Sequence, residues 1–133
     1  MKKTAILISA LFVGLIFLNF TYVKINLDTP AEEEGVTMSV EIKTVIDQSC
    51  YGCHNSESKN LKAKNKLNFD RIGKDYSAIK SAGKLKEIAE VIEENDMPPS
   101  KFLKNYPEKA LTEAQKTLLS DWALAESEKF MEK

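Results

Sequence analysis

The strongest constraint on this chain is the heptapeptide SCYGCHN at residues 49–55. It contains both cysteines and the only histidine of a 133-residue sequence, and these three residues lie within five consecutive positions. Two thiols three positions apart can add across the two vinyl groups of one haem, and a histidine directly after the second thiol can reach the haem iron. The spacing therefore predicts one covalently bound haem c per chain, attached through Cys50 and Cys53, with His54 as an iron ligand.

Three other uses of the cysteine pair remain open. The same C-x-x-C spacing serves structural disulfides and thioredoxin-like redox pairs, although the latter accompany a βαβ pattern that the sequence does not show. A zinc site would need further ligands, and carboxylates would have to supply them because the chain has no other cysteine or histidine. The sequence favours haem attachment over all three.

A nearly unbroken apolar run from Thr4 to Val23 follows Lys2 and Lys3. Its length is close to the roughly 20 residues that cross a bilayer as a helix, and no A-x-A-like cleavage site follows it. An uncleaved anchor is therefore favoured over a signal peptide. The two lysines place the N-terminus in the cytoplasm by the positive-inside rule. Residues 1–23 thus predict a single-pass anchor in the bacterial inner membrane, with everything after it on the periplasmic or extracytoplasmic side.

Residues 24–38 predict a tether, because they contain Pro30, Gly35 and three consecutive glutamates without a helical or alternating apolar period. Residues 39–133 form the predicted haem domain. The chain carries 19 basic residues, two of them ahead of the apolar run, and 20 acidic residues. This balance gives no support to nucleic-acid binding.

The first part of the domain predicts a short helix followed by a loop. Ser39 is an N-cap residue type, and the apolar spacing after it favours a helix that runs into Cys50. Residues 55–66 are dominated by Asn, Ser and Lys and predict an exposed loop. The apolar residues of the LNFDRIG stretch at 67–73 are expected to fix the end of this loop to the core.

The second part predicts two longer helices, so the domain is expected to be all-α, a small cytochrome c-like helical fold around one haem. Residues 77–95 repeat apolar side chains at three and four positions, with Gly83 as a possible break. The prolines after Met97 should end this helix. A capping-box pattern at Thr112 predicts the start of a last helix. The predicted buried stripes comprise Ile79, Ala82, Leu85, Ile88, Ala89 and Ile92, and then Leu118, Leu119, Trp122 and Ala125.

Haem iron has a second axial position, and the sole histidine cannot fill both. Among the methionines, Met1 lies beyond the apolar run, Met38 lies in the tether and Met131 lies near the end of the last helix. Met97 is the best placed, and the two prolines after it can hold its thioether toward the metal. An ordinary core methionine at a helix end is the alternative. With the CYGCH motif upstream, iron ligation by Met97 is favoured.

With these residues in place, the chain resembles small monohaem c-type cytochromes. More narrowly, it is similar to the small bacterial family called the haem-binding domain, whose members show a short helix into CYxCH, then LNF, MPP and a terminal LT…W helix. Here these read SCYGCH at 49–54, LNF at 67–69, MPP at 97–99 and LTEAQKTLLSDW at 111–122. The resemblance spans about residues 40–125 and implies covalent haem and an exported location.

The chain departs from the family directly after the histidine. Members often carry a stretch rich in tryptophan and tyrosine there, whereas this chain has Lys59, Lys62, Lys64 and Lys66. The aromatic shielding of the haem edge that such a stretch gives is therefore not expected. The four lysines predict either a solvated loop or a docking patch for an acidic partner.

Further side chains are assigned to the haem pocket. Trp122 is expected to pack on the haem or hydrogen-bond near it, as the last-helix aromatic does in resembling cytochromes, or else to fill an interface between helices. Arg71, the only arginine, either pairs with a haem propionate or lies solvated. The predicted lining consists of Tyr51, Leu67, Phe69, Ile88, Ile92 and Phe102, since fewer than about a hundred folded residues bury little without the porphyrin surface.

An iron bound by both His54 and Met97 has no position for a substrate. The sequence therefore predicts a carrier of single electrons between unidentified redox partners at the membrane, not an enzyme. The alternative is a haem-based ligand sensor or a peroxide-reacting haem domain with an open or labile sixth position, although no second histidine exists to act as a distal acid or base. A structural anchor that presents haem to a larger complex also remains open.

Overall fold

A computed structural model describes residues 35–132 of the chain. The predicted membrane anchor and most of the predicted tether lie outside the described residues. None of the helices formed by residues 35–132 combines the length and the apolar character needed to cross a bilayer.

Residues 35–132 form helices and no strand, as predicted. The α-helices are α1 (Val40–Ser49), α2 (Leu61–Lys66), α3 (Ala78–Glu93), α4 (Ser100–Leu103) and α5 (Glu113–Met131). Two short 3₁₀ helices span Phe69–Arg71 and Pro107–Lys109. An all-α domain is thus confirmed for the described part of the chain.

Side-chain caps start the three main helices, and the sequence predicts two of them, at Ser39 and Thr112. The Ser39 hydroxyl accepts a hydrogen bond from the Ile42 amide at the start of α1. Ser77 caps α3 in the same way. At α5, Thr112 and Gln115 form a complete capping box, in which each side chain accepts from the backbone N–H of the other residue. These bonds satisfy amides that a helix leaves without partners.

The core lies mainly between α3 and α5, which form the most extensive helix–helix contact of the described residues. Leu85 of α3 is fully buried, as are Leu119 and Ala123 of α5. The Ser127 hydroxyl donates to the Ala82 carbonyl across this interface at 3.1 Å. Helix α1 adds Ile42, Val45 and Ile46 to the same core cluster. The long helices therefore provide the scaffold on which the rest of the domain is built.

The predicted exposed loop over residues 55–66 is wrong in its second half, which forms α2. The Asn60 side chain accepts from the Ala63 amide at 3.1 Å and caps this helix. Lys64 and Lys66 lie in its last turn, where positive charge interacts favourably with the helix dipole. A local cap, and not an apolar stripe, forms this helix, which is why periodicity did not predict it.

The possible break at Gly83 does not occur, because α3 continues through it as the predicted helix does. A Cβ at Gly83 would meet no atom within 4 Å, so this residue lies on an open face. Its neighbours Ala82 and Leu85 are 1% and 0% exposed, and their burial outweighs the roughly 1 kcal/mol that a glycine costs a helix interior.

Ile79 and Ala125 were predicted to be buried but are exposed. The stripe of α3 begins at Ala78 and not at Ile79, which is 77% exposed. Ala125 lies off the buried face of α5. That face comprises Leu119, Ala123, Glu126, Ser127 and Phe130, with Leu118 and Trp122 only partly buried.

The last residues of the predicted tether lie against α5. The Thr37 amide donates to Glu126 Oε2 at 3.3 Å, and the Thr37 carbonyl accepts from Trp122 Nε1 at 2.8 Å. Gly35 approaches Gly73 closely, since a Cβ on Gly73 would stand 2.8 Å from the Gly35 Cα. Gly73 also has a φ of +70°, a conformation that glycine adopts without strain.

Candidate functional site

The CYGCH motif forms a tight turn at the C-terminal end of α1. The Cys50 amide donates to the Ile46 carbonyl at 2.8 Å and closes the helix. The Cys50 carbonyl in turn accepts from the Cys53 and His54 amides at 3.1 and 3.2 Å. These bonds hold Cys53 and His54 close to Cys50 at the end of the helix. Both thiols and the imidazole are therefore carried by one short turn of backbone, as covalent haem attachment requires.

Both cysteines are free thiols and partly buried. Burial, with a smaller contribution from the neighbouring Cys53, raises the pKa of the Cys50 thiol to about 11. Cys50 is therefore protonated at neutral pH, whereas a thioredoxin-like redox pair depends on a thiol whose pKa is lowered.

The imidazole of His54 is buried and its orientation is fixed by backbone carbonyls. Its Nδ1 lies 3.1 Å from the Ala63 oxygen and 3.2 Å from the Leu67 oxygen. Since carbonyls only accept, Nδ1 carries the proton, and the lone pair lies on Nε2. This arrangement is typical of metal-binding histidines, which donate their other ring N–H to a carbonyl or carboxylate.

The Nε2 atom of His54 has no hydrogen-bonding partner among residues 35–132. Yet no buried side-chain nitrogen or oxygen in that part of the chain lacks a partner. Nε2 therefore faces accessible space and is not sealed in the core. The donor set of two neighbouring thiols and one imidazole nitrogen without a hydrogen bond to the described residues fits a covalently attached haem.

The stretch Leu67–Asp70 binds the motif turn from the other side. The Phe69 amide donates to the His54 carbonyl at 3.0 Å. The two oxygens of Asp70 accept from the Tyr51 hydroxyl at 2.6 Å and from the Ser56 amide at 2.8 Å. Residues before and after His54 are thus held by the same short segment.

Asn68 supports this segment from within. It is 3% exposed, donates from Nδ2 to Ser56 Oγ at 3.1 Å, and accepts from the Asp70 amide at 3.0 Å. A buried amide with both of its polar atoms bonded fixes the geometry of the segment at little cost.

The hydrogen bond between Tyr51 and Asp70 is charge-assisted. Desolvation tends to raise the pKa of Asp70, but the bonds from Tyr51 and Ser56, together with the charge of Lys74, outweigh it and hold this pKa below its usual value. Donation to Asp70 raises the pKa of Tyr51. At neutral pH the pair is therefore a phenol that donates to a carboxylate, one of the stronger kinds of hydrogen bond.

Met97 lies in the connection that follows α3. It is half-buried, and its amide donates to the Val91 carbonyl at 3.2 Å, while Pro98 after it is buried. The far end of this connection is tied to α1: Gln48 Nε2 donates to the Glu108 carbonyl and Ser49 Oγ donates to the Lys109 carbonyl, both at 2.9 Å. The segment that carries Met97 is thus attached to the two residues directly ahead of Cys50.

The other predicted site residues fall into different surroundings. Tyr51 is 37% exposed. The indole N–H of Trp122 donates a hydrogen bond to the Thr37 carbonyl. Arg71 is exposed, pairs with Asp75 at 3.3 Å and lies over the Tyr76 ring. Of the predicted lining, Phe69, Ile88 and Ile92 are buried in the core, and Leu67 and Phe102 are partly buried.

Sequence reasoning missed the polar residues that hold the motif. These are Gln48, Ser49, Ser56, Asn60, Asn68 and Asp70. Asn60 was detectable as an N-cap residue type before LKAK, and Asn68 and Asp70 flank the apolar Phe69 of the LNF motif. Gln48 and Ser49 donate to backbone carbonyls 60 positions away, and Ser56 bonds to the side chains of Asn68 and Asp70. No local pattern indicates such partners.

A cavity of about 330 Å³ lies beside the Tyr51–Asp70 bond. Its walls are Gly35, Val36, Met38, Lys43, Ile46, Asp47, Tyr51, Phe69, Asp70, Ile72 and Lys74. It reaches the motif only through Tyr51 and includes neither thiol nor the imidazole. We therefore do not assign it to haem.

The zinc and thioredoxin-like interpretations gain no support. Within residues 35–132, no three His, Cys, Asp or Glu side chains are grouped so that they could hold a metal ion. The same residues contain no strand for a βαβ unit.

The family model described as "Haem-binding domain" matches residues 59–125 of this chain. The matched part contains the LNF, MPP and LT…W segments and begins five residues after His54. No curated protein and no solved structure matches the chain.

Proposed function

The chain belongs to the haem-binding domain family and binds haem, and from this premise we propose that it is a membrane-anchored, exported monohaem c-type cytochrome that carries single electrons. The observation that carries the proposal is the CYGCH turn at the end of α1, with His54 held by Nδ1 and its Nε2 without a hydrogen bond to any of residues 35–132. When bound, the haem supplies the one-electron couple of its iron.

In this proposal Cys50 and Cys53 form the two thioether bonds and His54 binds the iron. The carbonyls of Ala63 and Leu67 keep the imidazole in the tautomer that binds metal, and raise the basicity of Nε2 through their hydrogen bonds to Nδ1. A fixed imidazole needs no rearrangement when the electron arrives or leaves, which suits a carrier.

Met97 is the proposed second iron ligand. It is half-buried in a connection whose far end is bonded to Gln48 and Ser49, directly ahead of the thiols. The other two methionines of the described part are less suitable: Met38, the last residue of the predicted tether, packs on the core, and Met131 is 60% exposed near the end of α5. A methionine opposite a histidine raises the reduction potential.

The redox partner is proposed to be an acidic protein that docks on the lysines around α2. Lys59, Lys62 and Lys66 are exposed and form no ion pair within residues 35–132, and Lys64 donates only to the Ser56 carbonyl. Five basic side chains elsewhere in the described part form ion pairs: Lys43–Asp47, Arg71–Asp75, Lys84–Glu87, Lys116–Glu113 and Lys129–Glu126. The positive charge around α2 thus remains available to a partner and would make the encounter salt-sensitive.

One set of spectra tests the proposed function. Protein made in a cell with cytochrome maturation machinery should keep its haem through denaturing electrophoresis and haem staining. Its reduced spectrum should be low-spin and unchanged by carbon monoxide. A colourless protein contradicts the whole proposal, whereas a coloured protein that binds carbon monoxide contradicts the carrier and supports the ligand-sensing or peroxide-reacting alternative.

The anchor is tested separately. Full-length protein should stay with the membranes after a carbonate wash. Release of a shortened soluble form would contradict the anchor and indicate cleavage near the end of the apolar run.

A further inference from the structure

We propose that Asp70 is a positioning residue for His54. The carboxylate of Asp70 sets the strength with which the imidazole of His54 binds iron. The inference rests on the proposed function and deepens it. Asp70 touches neither thiol and has no bond to the imidazole. It acts through the residues on either side of His54.

The bonds of Asp70 bracket the histidine in sequence. Its Oδ1 accepts from Tyr51, three residues before His54, and its Oδ2 accepts from the amide of Ser56, two residues after it. Between them, the His54 carbonyl accepts from the Phe69 amide at 3.0 Å. Two consecutive residues, Phe69 and Asp70, therefore fix the backbone before, at and after the proposed ligand.

The same segment also holds the imidazole ring. Leu67 supplies one of the two carbonyls that accept from His54 Nδ1, and it lies three residues before Asp70. Without the bonds from Tyr51 and Ser56 to Asp70, the backbone on either side of His54 would no longer be tied to the segment that contains Leu67. The distance between His54 and the Leu67 carbonyl would then vary. A weaker Nδ1 hydrogen bond makes Nε2 a poorer donor to iron and favours the reduced state.

A carboxylate is needed because two donors must be bonded by two separate oxygens. Asparagine has nearly the same shape but only one acceptor oxygen, and its NH₂ group would meet the other donor. Asp70→Asn therefore breaks one of the two bonds without changing the size of the side chain. Glutamate keeps both oxygens on a longer arm and should restore part of the effect.

The test compares Asp70→Asn, Asp70→Glu and Tyr51→Phe with Asp75→Asn in the full-length haem protein. Asp75 is a matched control, since its exposed carboxylate pairs only with Arg71 and its replacement also removes one negative charge. The midpoint potential and the low-spin EPR g values are measured for each. Asp70→Asn should favour the reduced form by about tenfold at fixed ambient potential, with altered g values, the scale on which partners of metal ligands act.

Tyr51→Phe separates positioning from charge, because it removes one bond of Asp70 and keeps the carboxylate. If Asp70 acts by positioning, Tyr51→Phe should shift the midpoint potential in the same direction as Asp70→Asn. The double variant should then shift the midpoint potential by less than the sum of the two single shifts. The inference is overturned if Asp70→Asn matches Asp75→Asn in both readouts, or if Tyr51→Phe leaves them unchanged. Tyr51→Phe also decides the matter should Asp70→Asn fail to fold. A colourless wild-type protein overturns the proposed function as well, so the two failures are distinguishable.

Discussion

Residues 50–70, which we call the motif segment, and the pair of long helices α3 and α5 are held together by different forces. Four residues of the motif segment are buried, and three of them are polar: His54, Ser58 and Asn68, with Phe69 as the exception. The α3–α5 pair buries mainly apolar side chains, with Leu85 and Ala123 at 0% exposure. The motif segment is therefore ordered by hydrogen bonds and the helix pair by removal of apolar surface from water.

This difference separates stability from function. Apolar burial is additive over many side chains and tolerates small changes, whereas a hydrogen-bonded segment depends on a few bonds of fixed geometry. In the proposed function, the CYGCH turn needs such geometry because an iron ligand must keep one orientation. We therefore expect substitutions in the helix pair to change the free energy of unfolding, and substitutions in the motif segment to change mainly the properties of the haem.

The largest effect is expected from Leu85→Ala in α3. Leu85 is fully buried between the long helices, and truncation of such a residue lowers the free energy of unfolding by about 3 kcal/mol through lost burial and a residual cavity. Urea denaturation followed by far-ultraviolet circular dichroism measures it. Ile79→Ala, at a site that is 77% exposed, is the control and should cost less than about 0.5 kcal/mol. Equal losses for the two variants would contradict a core between α3 and α5.

A smaller loss is expected from Asn68→Ala in the motif segment. The change removes two hydrogen bonds and leaves the Asp70 amide without its partner, which costs about 1–3 kcal/mol. In contrast to Leu85→Ala, it should alter the haem absorbance and speed hydrogen exchange at the Phe69 amide. Asn65→Ala, on the exposed side of α2, removes the same group and should change neither. If Asn68→Ala changes stability without touching the haem spectrum, the distinction between the two regions fails.

Thr112→Ala tests the helix pair at the N-terminal cap of α5. The Thr112 hydroxyl accepts from the Gln115 amide, and loss of such a cap lowers the free energy of unfolding by about 1 kcal/mol. Thr117→Ala, inside the same helix, has an exposed side chain and should be neutral or slightly stabilising, since alanine is the better helix former. The haem spectrum should stay the same in both variants. A spectral change with Thr112→Ala would show that the helix end reaches the site.

The same division explains what the sequence could predict. The caps at Ser39 and Thr112 and the stripes of the long helices are local patterns, so α1, α3 and α5 were predicted to within a few residues, whereas α2 was not. The motif itself was recognisable because its three functional groups are adjacent in the chain. The bonds that hold it, such as Asp70 to Tyr51 or Ser49 to Lys109, join residues 19 and 60 positions apart, and nothing in the sequence indicates those pairs.

The smallest effect is expected from a charge on the surface of the motif segment. Lys62→Glu replaces an exposed lysine that lies next to Ala63, the residue whose carbonyl holds His54. If the proposed electron exit lies beside α2, the variant should slow oxidation of the reduced protein by anionic hexacyanoferrate(III) by a few-fold at low ionic strength, because charge near that site steers the encounter. The difference should vanish at high salt, where the Debye length falls to about 3 Å.

Lys86→Glu is the matched control for this last comparison, since Lys86 is an exposed lysine of α3 without an ion pair in the described part of the chain. Both variants change the net charge equally, so a larger effect of Lys62→Glu locates electron exit beside α2. Stopped-flow rates as a function of ionic strength give the answer for both. Equal slopes would mean that net charge alone steers the reagent and that the lysines around α2 are merely solvated. A steeper slope for the α2 lysine would assign docking, like haem ligation, to the region ordered by hydrogen bonds.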